Sequence, residues 1–194
     1  MSFAKEKIGH LLKIGGEHLV YQYGDDQVIK FPNLLARTLF NNQKLAEKKK
    51  RDFALAKKYF PQYLLSTECV IITEINKPYY LIQPLINAQP LIKKDLNDGE
   101  IRENFKKILA INKLIKEKEG LSFDFFGAWR LLFNELLPQL SINNLMLTPA
   151  KKIIILDVVF LEYQNCQWSK LLWLISHWAE KRQQRLLNKL LKNE

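Results

Sequence analysis

Short apolar runs separated by turn residues fill the first part of the chain. Residues 8–14 (IGHLLKI), 18–23 (HLVYQY) and 27–31 (QVIKF) are divided by Gly15-Gly16 and by Tyr23-Gly24-Asp25-Asp26. That pattern predicts an antiparallel meander of three strands, ended by Pro32. The period then changes. Leu35, Leu39, Leu45, Phe53, Leu55 and Tyr59 fall among lysines and arginines across residues 34–60, which predicts an amphipathic helix or a broken pair, stopped at Pro61. Residues 69–73 (CVIIT) and 79–83 (YYLIQ) flank Asn76-Lys77-Pro78 and give two further strands.

Beyond residue 87 the periodicity is mostly helical. Residues 87–90 read as a connector. Ile101, Phe105, Ile108, Leu109, Ile111, Leu114 and Ile115 form the stripe of a helix near 100–118, preceded by Asp98 or Gly99 and ended by Gly120. Residues 124–137 suit another short helix with Asp124 as its N-cap. Residues 145–147 and 153–156 read as strands around Thr148-Pro149-Ala150-Lys151, and the tail from Trp168 is helical. The fold class expected is α+β: a five-stranded antiparallel sheet with one helix, then a reduced, mainly helical part. The composition shift near 84–90 divides residues 1–86 from 87–194.

A hydrophobic content of 47% argues against global disorder. No window is long and apolar enough for a membrane span, and the opening stretch lacks the apolar core of a secretory signal. Cys69 and Cys166 supply neither a disulfide framework nor a zinc site. A cytoplasmic setting is therefore expected. Thirty Lys and Arg against twenty Asp and Glu give +10. This suits an anionic partner, or simply solvated helix faces. Leu186, Leu187, Leu190 and Leu191 alternate with Lys181, Arg182, Arg185, Lys189 and Lys192 in the tail. Such a helix suits an anionic surface or partner helix, or docking on its own domain. His10, His18 and His177 match no metal-ligand spacing, and Trp168, Trp173 and Trp178 suit helix packing.

Four segments carry candidate chemistry. Gly15 and Gly16 lie in Lys13-Ile14-Gly15-Gly16-Glu17-His18-Leu19-Val20-Tyr21, where glycines let backbone N–H groups approach an anion. Lys30 ends Val28-Ile29-Lys30. Asn144 sits in Ile142-Asn143-Asn144-Leu145-Met146-Leu147. Asp157 closes Ile153-Ile154-Ile155-Leu156-Asp157, and a carboxylate after four apolar residues is costly unless paired or exposed at the strand end.

In this order, these segments resemble the protein-kinase-like superfamily over nearly the whole chain, and most closely its small bacterial members of the YrbL type. The resemblance implies a two-lobed fold binding ATP and Mg2+. It implies that Gly15 and Gly16 cover the phosphates, that Lys30 meets the α- and β-phosphates, and that Glu47, or alternatively Asp52, holds Lys30. Asn144 and Asp157 would bind Mg2+, and backbone groups near residues 84–87 would hold the adenine. The chain departs from the kinase pattern in several places. Only Gly15 falls on a kinase glycine position, with Lys13 and His18 at the other two. Gln139 stands where the catalytic Asp is expected; Gln orients a nucleophile but is no base. Val158 follows Asp157 where kinases have Gly. Glu135 or Asp124 are the carboxylates that could substitute for Gln139, although Asp124 lies 20 residues before Asn144. The implied function is transfer of a γ-phosphoryl group to a hydroxyl on a protein or small molecule. Its alternatives are an inactive pseudokinase serving as a binding module and a basic nucleic-acid-binding protein.

Overall fold

The computed structural model describes residues 4–34, 37, 42–72, 78–127, 141–162 and 170–191. Its elements are β1 (Ile8–Ile14), β2 (His18–Tyr23), β3 (Gln27–Pro32), α1 (Asn42–Tyr59), β4 (Glu68–Ile71), β5 (Tyr79–Pro84), β6 (Gln89–Ile92), α2 (Gly99–Glu119), β7 (Leu121–Phe123), β8 (Ser141–Leu147), β9 (Ile153–Ile155), β10 (Phe160–Glu162) and α3 (Lys170–Leu191). This is a mixed α+β chain. It divides into two compact units, Met1–Leu55 with Leu64–Ile86, and Ala56–Tyr63 with Asn87–Glu194.

The first unit is built on a five-stranded antiparallel sheet of order β1-β2-β3-β5-β4. Gly24, at φ +64°, makes the β2–β3 turn that a side chain would strain. Alternation sets the two faces. Ile29 and Phe31 pack with Tyr23, Tyr80 and Ile82 on one face, so Val28 and Lys30 belong to the other. A one-residue slip would exchange the two sets. Helix α1 buries Leu45, Ala46, Lys49, Asp52, Phe53 and Ala56, a helical stripe that includes two charged residues. Asp52 is fully buried, and its carboxylate meets Lys48 Nζ at 2.5 Å and Arg51 Nη2 at 3.0 Å. A buried carboxylate needs such partners.

The second unit holds a three-stranded sheet of order β6-β8-β9, the pair β10-β7, and the helices α2 and α3. Asp98 caps α2, its Oδ1 accepting from Glu100 N and Ile101 N, and Gly120 closes the helix at φ +67°. Lys151 Nζ donates to Asp98 Oδ2 at 2.7 Å. That bond, followed by those from the helix amides, holds the Asp98 carboxyl below the usual carboxylate range. Phe123 centres an aromatic core, its ring 5.0 Å from Phe125, 5.6 Å from Phe60 and 5.8 Å from Phe160, all tilted or edge-on.

Several expectations change. Residues 89–92 form a strand rather than a connector, and β7 and β10 were not anticipated; three-residue strands are too short to show a period. Strand β8 begins at Ser141, so Asn144 lies inside it rather than ahead of it. Residues 124–127 are not helical: Gly127 sits at φ +87°, where no α-helix can pass. The remainder of that expected helix lies outside the described residues. Helix α3 docks on its own unit, burying Ala179, Gln183, Leu187 and Leu190 and leaving Lys181, Arg185 and Lys189 outward. No described helix is long and apolar enough to cross a membrane.

Phe123→Ala should leave a cavity among three rings and destabilise the protein by about 3–5 kcal/mol, read from the midpoint of urea unfolding.

Candidate functional site

The backbone between β7 and Gly127 is buried and belongs to no helix. Its polar groups must still be satisfied, and every N–H and C=O of residues 123–126 has a partner. Asp124 N donates to Val159 O at 2.9 Å, and the Asp124 carbonyl accepts from Asn144 Nδ2 at 2.6 Å. Phe125 O accepts from Asn144 N at 3.1 Å, and Phe126 O from Asn143 Nδ2 at 3.1 Å. Phe126 N and Gly127 N donate to Asp124 Oδ1 at 3.2 and 2.8 Å. The remaining groups are met by helix side chains. Phe123 N donates to Asn112 Oδ1 at 2.7 Å, Phe123 O accepts from Gln183 Nε2 at 2.8 Å, and Phe125 N donates to Gln183 Oε1 at 2.8 Å.

An irregularity in β8 brings the two asparagines to this turn. Leu91 pairs with Ile142, but its neighbour Pro90 pairs with Met146. The extra residues 143–145 bulge out of the ladder, as bulges do where a side chain must be re-aimed. On the other edge of β8, Leu145 pairs with Ile155, and Leu156 N donates to Asn144 O at 3.1 Å. Asp157 is the next residue and is half-buried. Asp124, Asn144 and Asp157 thus lie on three neighbouring backbone segments of one unit, joined through Asn144. The Asn144 amide nitrogen is engaged by Asp124 O, which leaves Oδ1 as its acceptor atom. Two protein oxygens, one from this amide and one from the Asp157 carboxylate, suit Mg2+, which takes one or two protein ligands and completes its shell with phosphate and water oxygens. Among the described residues no group of three or more His, Cys, Asp and Glu could hold a metal ion.

Gly15, Gly16, Lys30, Glu47 and Asp52 belong to the first unit. Lys30 lies on β3 opposite Val20 and Leu81 and is 4% exposed. On the same face, His18 Nε2 and Tyr79 Oη are 2.8 Å apart, and Lys49 Nζ stands 5.6 Å over the Tyr79 ring and 3.6 Å from Glu17. Glu47 lies on the exposed side of α1 and accepts from Gln43 Nε2 at 2.8 Å, whereas Asp52 lies on the buried side. Gly15 and Gly16 form the β1–β2 turn. Gly15 N donates to His18 O at 2.8 Å, and both glycine carbonyls accept from Asn33 Nδ2, at 2.9 and 2.8 Å. In the segment expected to hold an adenine, Leu85 N donates to Asp26 O at 2.7 Å. Gln139 and Glu135 lie outside the described residues.

Asn112, Asn143 and Gln183 were not anticipated. Two of them carried a readable signal: an amide on an apolar helical stripe, as in Phe105, Ile108, Asn112, Ile115 and in Ala179, Gln183, Leu187, Leu190.

No protein-family model matches the chain, and a search of curated proteins returns no match.

Asn144→Ala removes the donor to a buried carbonyl. The expected loss is about 1–3 kcal/mol in urea unfolding, with faster amide exchange in residues 124–127.

Proposed function

We propose that the chain is a kinase-like ATP- and Mg2+-binding protein, its two units corresponding to the two lobes of that fold. In this reading it transfers the γ-phosphoryl group to a hydroxyl acceptor. Asp124, rather than the residue at 139, is then the carboxylate that orients the acceptor hydroxyl. The observation that carries this is the 2.6 Å hydrogen bond from Asn144 Nδ2 to the Asp124 carbonyl. Phosphoryl transfer needs a carboxylate for the nucleophile beside a metal-holding Asn and Asp. Order along the chain argued against Asp124, yet this bond brings it to Asn144. Asn144 Oδ1 and the Asp157 carboxylate would hold the cation, and Lys30 is the cation of the first unit that the kinase resemblance assigns to phosphate. When bound there, Mg2+ would supply positive charge against the phosphate oxygens.

A second reading, a binding module without turnover, is favoured by the state of Asp124 itself. It is 1% exposed, and one of its carboxylate oxygens already accepts from two backbone amides. In that case Asp124 serves the turn alone.

Thermal melts with and without Mg·ATP, together with single-turnover ATP consumption, separate these readings. Wild type should be stabilised by Mg·ATP and Asp157→Ala should not be. Asp124→Asn keeps an oxygen for the turn. It should keep nucleotide binding while losing about 100-fold or more in turnover. No stabilisation of wild type would remove the nucleotide reading; stabilisation without ATP consumption would leave only the binding module; and equal turnover in Asp124→Asn would remove Asp124 from the catalytic role.

A further inference from the structure

Among the described residues, strand β7 pairs on one edge only, with β10. Its other edge would expose buried polar groups. Two helix amides finish that edge. Asn112, on α2, accepts from Phe123 N and donates to Ser122 Oγ at 3.3 Å. Gln183, on α3, is 2% exposed and uses both ends of its amide: Nε2 donates to Phe123 O and Oε1 accepts from Phe125 N, both at 2.8 Å. Gln183 therefore grips the peptide units on either side of Asp124. Asn144 and Val159 hold the remaining backbone groups of Asp124 itself.

We infer that Gln183 is a positioning residue for Asp124, resting on the proposal that Asp124 orients the acceptor hydroxyl. A planar amide with a donor and an acceptor fixes both the height of the strand end and the rotation of the turn that follows. A hydrophobic residue of similar size fills the volume and fixes neither. The C-terminal helix is thereby a working part of the site, tied to it through Gln183. Its neighbours Leu187 and Leu190 contribute packing alone, being 3% and 4% exposed.

The test compares Gln183→Leu with Leu187→Ala, which lies one turn further along the same buried face and bonds nothing in residues 123–126. Both are expected to lower the melting temperature. Activity is expressed per folded molecule, with the folded fraction taken from circular dichroism. Gln183→Leu should lower kcat for phosphoryl transfer by about 10- to 100-fold with KM for Mg·ATP little changed, and Leu187→Ala should keep wild-type kcat. Amide exchange by NMR supplies a readout that needs no activity. The Phe125 amide should exchange faster in Gln183→Leu and at the wild-type rate in Leu187→Ala. An equal loss of kcat in both variants, unchanged kcat in Gln183→Leu, or unchanged exchange at Phe125 would each overturn the inference. If wild type transfers no phosphoryl group, the kinase reading falls. Exchange at Phe125 then decides on its own whether Gln183 holds the turn.

Discussion

A buried stretch of backbone that is neither helix nor ladder must find a partner for every amide and carbonyl, and residues 123–126 impose that requirement on the second unit. Leaving one such group unmatched costs about 1–3 kcal/mol, comparable with a sizeable part of a domain's whole stability. The answer comes from four directions. Strand β8 gives Asn143 and Asn144, the segment before β10 gives Val159, α2 gives Asn112 and α3 gives Gln183. The bulge in β8 and the amides on two largely apolar helix faces look like defects in isolation. Together they satisfy one turn.

Much of the architecture was legible where a period and its punctuation agreed. The meander of β1, β2 and β3 showed as alternating residues between glycine turns. Helix α2 announced itself through Asp98 at its start and Gly120 at its end. Strands β7 and β10 are three residues each. They exist because the long-range partners described above complete them, and their own sequences hold too little pattern to reveal them. Asn144 and Asp157 were singled out by spacing, and a short hairpin joins them. Asp124 was set aside by its order, since it precedes Asn144 by 20 residues, and because a helix N-cap accounted for it more simply. Spacing is a poor guide when a segment can be inserted between two bonded positions, because loop closure grows only slowly more costly with length.

In the first unit the charges are unevenly distributed. The inner side of α1 carries both Lys49 and Asp52, and the sheet contributes Lys30 and His18, all at most 5% exposed. Burying so many ionisable groups is unfavourable unless each is matched, and the pairing of Asp52 with Lys48 and Arg51 shows how one of them is accommodated. Glu47, singled out by its distance from Lys30 along the chain, sits on the opposite side of the helix. Helical phase, not sequence distance, decides which carboxylate faces inward.

Gln183 lies 58 residues beyond Phe125, the amide it accepts from. During synthesis the strand end around Asp124 emerges long before the helix that completes it. Until α3 arrives, Phe123 O and Phe125 N lack the partner that Gln183 supplies. The frame around Asp124 thus depends on a contact of high sequence separation, the kind whose closure slows folding. A chain halted before α3 would carry Asp124, Asn144 and Asp157 and still lack the frame that holds the first of them.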